Sequence, residues 1–157
     1  MSDHILVCPN CSTVNDIEQS EFLNWPECCD CNTLLLSKVP IEVNEAAFKN
    51  FIMLSTLPVV VDFWGPWSGT SHEMADTLSS LANTFYQDAI FLRVNSEQEQ
   101  VLANTYKLTD IPTFILFASG LEYHRLHGAI SEPEFHRWLE RYLRIKRKKA
   151  IPHPSSI

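Results

Sequence analysis

Four cysteines spaced Cys8-x2-Cys11-x16-Cys28-x2-Cys31 are the side chains of this 157-residue chain that point most directly to chemistry. Each C-x-x-C pair forms a tight knuckle that aims two thiolates at one ion. Two knuckles supply the tetrahedral four-thiolate coordination of structural zinc. Cys29 falls outside that set and is expected to be a free thiol beside the metal. All five cysteines lie within the first 31 residues, and no basic segment followed by an apolar run precedes them. A cytoplasmic location is therefore expected, where clustered thiols bind metal rather than pair as disulfides.

A second group of candidates lies around residues 62–72. The apolar run Val59-Val60-Val61-Asp62-Phe63-Trp64 ends in Gly65-Pro66-Trp67-Ser68-Gly69-Thr70-Ser71, after which a helical pattern begins. This is a strand-to-helix turn, a place where α/β folds present reactive groups. Asp62 interrupts the apolar run and is the one carboxylate within it. Ser71-His72 has the residue types of a hydrolase dyad, but the sequence offers neither an oriented acid nor an oxyanion hole.

The elements that must hold these residues follow from periodicity. Residues 1–37 are polar, punctuated by Pro9, Asn10, Pro26 and Asn32, and too poor in apolar residues to build a core. Metal binding should supply most of that module's folding free energy, so chelation is expected to unfold it and leave the remainder folded. Val39-Pro40-Ile41-Glu42-Val43 reads as a short edge strand, since proline cannot donate within a central ladder. Asn44 is a good N-cap for a helix in which Ala47, Phe48, Phe51, Ile52 and Leu54 fall at helical spacing. Val59 to Phe63 has the continuous apolar character of a strand covered on both faces.

A helix with Met74, Ala75, Leu78, Leu81, Ala82 and Phe85 on one stripe follows, and then a strand over 89–94. Ser96 with Glu99 three residues on predicts a capping box opening a helix that runs to about Tyr106. Thr113 to Phe117 and Leu121 to Leu126, joined by Ser119-Gly120, read as a hairpin. A last helix begins near Ser131, with Phe135, Trp138, Leu139 and Tyr142 inward. The order βαβαβαββα implies an α/β fold with a mixed central sheet flanked by helices. The expected domains are 1–37, a small four-cysteine zinc-ribbon module, then 38–146, with 147–157 a disordered basic and Pro-Ser tail.

Net charge is −7, but six of the 12 Lys and Arg residues lie within 141–149, where there is no acid. The remaining six bases face all 19 acids, so the body is strongly acidic and nucleic-acid binding is not expected. The basic run reads as a solvated helix end opposing its dipole. No apolar run approaches the ~20 residues of a transmembrane helix, so no membrane partner is expected.

Val61-Asp62-Phe63-Trp64, Trp67-x-Gly69, Ile111-Pro112-Thr113 and His127-Gly128-Ala129 occur in the order and spacing of thioredoxin landmarks. Over residues 5–143 the chain resembles that family, and with its four-cysteine head it resembles the zinc-containing, thioredoxin 2 type. The resemblance implies a thioredoxin fold. It also implies that the family's two redox cysteines, nucleophile and resolving thiol, are replaced here by Ser68 and Ser71. Thr70 stands in place of the loop proline, and Asp76 in place of a helix-kinking proline. Asp62 matches the buried acid that serves the resolving thiol, Arg93 matches a lysine near it, and Pro112 matches a cis-proline.

Trp67, Gly69, Thr70, Ile111, Pro112, Gly128 and Ala129 would line a groove that holds an extended peptide. The function expected is a redox-inactive, monomeric module that binds a polypeptide. The alternative is a protein-disulfide reductase of the thioredoxin 2 type whose parent sequence carries cysteine at 68, 71 or both. A zinc-linked redox sensor or chaperone-like factor is a further alternative.

Overall fold

The computed structural model describes residues 3–150. A hairpin of β1 (His4–Val7) and β2 (Val14–Ile17) opens the chain, followed by the short helix α1 (Gln19–Phe22). The main sheet has the order β3-β5-β4-β6-β7, built from β3 (Ile41–Glu42), β4 (Val59–Trp64), β5 (Ile90–Asn95), β6 (Thr113–Ala118) and β7 (Leu121–His127). β3, β5 and β4 run parallel, while β6 and β7 are antiparallel to their neighbours. The helices are α2 (Glu45–Leu54), α3 (Gly69–Phe85), α4 (Gln100–Thr105) and α5 (Glu132–Ala150). The chain therefore has the expected mixed sheet flanked by helices.

Strand pleating sorts the core into two layers. Val60, Phe91, Phe114 and Leu116 pack with Met74, Leu78 and Leu81 of α3 and with Phe135 and Leu139 of α5. Val61, Phe63, Leu92 and Phe117 face the other way, onto Phe48 and Ile52 of α2 and Leu102 of α4. Local signals set several boundaries. The Asn44 side chain accepts from Ala47 N and starts α2. Ser119 and Gly120, at φ 53° and 79°, make the two-residue turn whose twist suits a hairpin.

Three expectations are corrected. The capping box at Ser96 does not form, and α4 begins only at Gln100. Ser96 instead donates from both its backbone N and its hydroxyl to the Trp64 carbonyl, at 2.8 Å each. The Glu99 carboxylate accepts from Glu45 N at 2.7 Å and so caps α2 rather than its own helix. Tertiary partners at the ends of β4 and α2 outcompete the local motif.

The first 37 residues also do not stand apart. Leu6, Val7, Ile17, Phe22, Leu35 and Leu36 are buried in the same core layer as Phe48 and Phe63. Ile5 exchanges hydrogen bonds with Thr56 after α2. Trp25 stacks on Tyr86 with centroids 5.1 Å apart, and the Lys38 ammonium lies 5.2 Å from each ring. Finally, α5 continues through Ala150, past the expected boundary at 146. The rest of the expected tail, 151–157, lies outside the described residues.

Candidate functional site

Two candidate sites occur, one in the head and one at the carboxyl end of β4. In the head, the Sγ atoms of Cys8, Cys11, Cys28 and Cys31 all lie within 4.8 Å of one another. Cys8 and Cys31 are 3.5 Å apart and Cys11 and Cys28 are 3.6 Å apart. A tetrahedron of about 2.3 Å metal–sulfur bonds has edges of about 3.8 Å, so the set fits a zinc-sized ion. Cys29 is exposed and is not part of the cluster.

The two knuckles share one construction. Cys8 N donates to Thr13 O and Ser12 N to Cys8 O; Cys28 N donates to Thr33 O and Asn32 N to Cys28 O. Ser12 and Asn32 take matching positive φ values of 65° and 63°. The threonines lie 3.1 Å from Cys11 Sγ and 3.2 Å from Cys31 Sγ. Asn10 and Asn15 donate side-chain N–H groups to Cys31 and Cys28. These four polar residues escaped the motif reading, although a repeated Cys-x-x-Cys-x-Thr was there to find.

The Thr33 hydroxyl and then the Asn10 amide bring the Cys31 thiol down to about 6. Burial would raise Cys28, but backbone N–H groups of Asp30 and Cys31 take it below its ordinary value. Burial pushes the Cys8 thiol up to about 12. Metal binding must therefore eject a proton from Cys8.

At the other site, Ser68 is the N-cap of α3. Its Oγ accepts from Ser71 N at 3.1 Å and donates to the Ile111 carbonyl at 3.3 Å. Ser71 is fully buried, and its Oγ accepts from Gly65 N at 3.3 Å. His72 bonds to the Pro66 carbonyl, so it is not aligned as a base on Ser71. The Ile111–Pro112 peptide is cis, and Gly128 N donates to Pro112 O at 2.9 Å.

The structure thus brings Ser68, Ile111, Pro112 and Gly128 together, with Gly69, Thr70 and Ala129 adjoining in the chain. Trp67 stands 67% exposed beside them. Its ring passes so close to Gly65 that a Cβ there would lie 2.9 Å from it, so a larger residue at 65 would displace the ring.

Asp62 lies behind this loop, fully buried and in register with Arg93. Its Oδ2 accepts from Arg93 Nε at 3.1 Å, while Oδ1 has no partner among the described residues. Burial raises its carboxyl to about 6, against the opposing pull of Arg93. Arg93 also stacks on Trp64, 4.6 Å from the ring, and comes within 4.0 Å of Glu42.

The native state holds the Asp62 proton more tightly than the unfolded chain. The resulting stabilisation is complete below about pH 4 and is lost as pH rises through about 6. At pH 8, Asp62→Asn is therefore expected to stabilise the protein by up to about 3 kcal/mol, a figure that already includes the opposing pull of Arg93. It should also flatten stability between pH 4 and 7. Denaturant melts across that range check this, and a destabilised variant at pH 8 would contradict it.

The thioredoxin family model matches residues 39–141. Thioredoxin C-3 of Corynebacterium nephridii is 33% identical over 141 residues, 88% of this chain and 95% of that protein. A chloroplastic M-type thioredoxin of Chlamydomonas reinhardtii is 30% identical over 101 residues, 64% of this chain and 72% of that protein. Thioredoxin 1 of Synechococcus elongatus is 29% identical over 105 residues, 67% of this chain and 98% of that protein. A match to 88% of the chain necessarily takes in part of the cysteine-bearing head, which the two shorter matches need not do.

Proposed function

We propose, on the premise that this chain belongs to the thioredoxin family, that it is a redox-inactive member that holds an extended polypeptide against Trp67 and the Ile111–Pro112 turn. One observation carries the reading: both hydroxyls at the family's thiol positions are spent inside the fold. Ser68 ties the start of α3 to the Ile111 carbonyl, and Ser71 holds Gly65. A hydroxyl cannot form a disulfide or pass electrons to one, and no cysteine follows Cys31. Protein-disulfide reduction, the alternative, needs cysteine at 68, 71 or both.

Binding needs none of that chemistry. Extended peptides are held by backbone pairing with side-chain pockets adding specificity. The exposed Trp67 is the kind of aromatic anchor that dominates such contacts. Gly69, Thr70, Gly128 and Ala129 complete the proposed groove.

In the head the four thiolates would hold zinc, which when bound crosslinks the two knuckles. Cys11 and Cys29 are exposed, which favours a second reading, a sensor in which thiol oxidation releases the metal. We place the protein in the cytoplasm as a monomer, engaging neither nucleic acid nor membrane. No helix among the described residues is long and apolar enough to cross a membrane.

The test is affinity capture with the intact chain and with Trp67→Ala and Ile111→Ala. A specific polypeptide should bind the intact chain and lose about tenfold or more in affinity with each variant. Capture equal in all three would move the binding surface elsewhere.

A further inference from the structure

A second recess lies at the same end of the sheet, away from the Ile111–Pro112 turn. It is a cleft of about 410 Å³ bounded by Glu42 at the end of β3, Trp64 at the end of β4, Asn95 at the end of β5, and Gln98 and Glu99 before α4. Its position has a topological cause. β4 and β5 are adjacent and parallel, yet the chain leaves β4 for α3 in one core layer and leaves β5 for α4 in the other. Where successive connections depart to opposite faces, a crevice opens beyond the carboxyl ends of the strands, and such crevices take ligands.

The lining decides what would enter. Glu42 accepts from the Trp64 indole N–H at 2.9 Å through Oε2, and its Oε1 reaches Arg93 only at 4.0 Å. Glu99 uses one oxygen on Glu45 N and has no ion pair among the described residues. Asn95 directs its Oδ1 to the N–H groups of Glu97 and Gln98. Arg93, the cation that reaches Glu42, is already committed to Asp62. The recess therefore presents two carboxylates, each with an oxygen unspent on a hydrogen bond among the described residues, beside an indole.

We propose that this cleft binds a cationic nitrogen, an alkylammonium or guanidinium group. The cation bridges Glu42 and Glu99, with its methylene stem against Trp64. Such a group comes from two sources, a free diamine or a Lys or Arg side chain of a bound polypeptide, and the cleft recognises the same chemistry in both. It does not depend on the peptide groove, because no residue is shared between them.

The Trp64 indole N–H, bonded to Glu42, is the reporter. In nuclear magnetic resonance titrations of the full chain, 1,5-diaminopentane should shift the Trp64 indole signal saturably. The neutral 1,5-pentanediol should leave it in place. Glu42→Gln and Glu99→Gln should each weaken the diamine about tenfold or more, as expected for a lost charge-assisted hydrogen bond. Glutamine at 99 still offers an acceptor to Glu45 N, so that variant keeps the helix cap.

A lysine-bearing peptide compared with its norleucine counterpart separates the sources. Tighter binding of the lysine form, abolished by Glu99→Gln, assigns the cleft to a polypeptide side chain. Diamine binding without a lysine preference assigns it to a free amine. An unmoved Trp64 signal, or equal shifts with the diol, overturns the proposal.

Discussion

Replacing Ser68 and Ser71 together by cysteine is expected to give this protein a disulfide reductase activity that its loop, without thiols, cannot supply. The scaffold for the reaction is already in place. Residue 68 caps a 17-residue helix, where the aligned peptide dipoles favour a thiolate and lower its pKa. Residue 71 is one turn on, with its N–H 3.1 Å from the residue 68 side chain, the relation a C-x-x-C turn requires. The thiolate introduced at position 68 would attack a substrate disulfide, releasing one substrate thiolate. The thiol introduced at position 71 would then close the ring and release the other, carrying two electrons to the substrate.

With dithiothreitol as the electron source and insulin as the substrate, the unsubstituted protein should match the uncatalysed rate. The double variant should exceed it by orders of magnitude. Ser68→Cys alone should stall as a mixed disulfide, because nothing resolves it. Turnover by the unsubstituted protein would end the redox-inactive reading. A double variant that is folded but inert would show that Thr70, or the changes that follow it, have dismantled more than the thiols.

Stripping a metal ion held by the four clustered cysteines is expected to lower the stability of the whole chain in one transition. The sequence alone predicts loss of the head and survival of the rest. The structure argues otherwise, because six apolar side chains of the head are buried in the core layer that also holds Phe48, Phe51 and Phe63. At about 1.5–3 kcal/mol for each buried side chain, their contact with the rest amounts to roughly 10 kcal/mol before ordering entropy is subtracted. That is comparable with the total stability of an ordinary domain, about 5–15 kcal/mol.

The metal-free protein should therefore melt roughly 10 °C or more below the metal-bound form. Cys28→Ser, which removes a buried thiol of the cluster, should reproduce the loss. Calorimetry decides the matter. A main transition at an unchanged temperature, with a separate earlier one for the head, would restore the picture of independent modules.

What the sequence disclosed and what it hid divide along the reach of the interactions. β4 was legible because every residue of Val59–Phe63 is buried, leaving an unbroken apolar run but for Asp62. Asn44 and the Ser119-Gly120 turn were legible because their chemistry closes within a few residues. The four-cysteine set was legible because ligand spacing is itself local.

The failures with structural consequence were long-range. Ser96 and Glu99 spell a capping box, yet their partners lie 32 and 54 residues away. The head looked coreless because its few apolar residues complete a layer supplied mostly by α2 and the sheet. The two serines were visible as departures from the thioredoxin pattern. That their hydroxyls tie the loop to Ile111 and Gly65 was visible only in three dimensions.

The clasp of Trp25, Tyr86 and Lys38 bears on how such a chain can change over time. Its three members come from the head, the end of α3 and the segment between them. A head transplanted onto a domain without an aromatic ring at the Tyr86 position would arrive without its socket, as would one grafted with Thr56 altered. The boundary near residue 37 is thus a seam in composition but not a place where the molecule can be cut and rejoined. Recombination there would keep the clasp only where the incoming domain supplies a ring in the place of Tyr86.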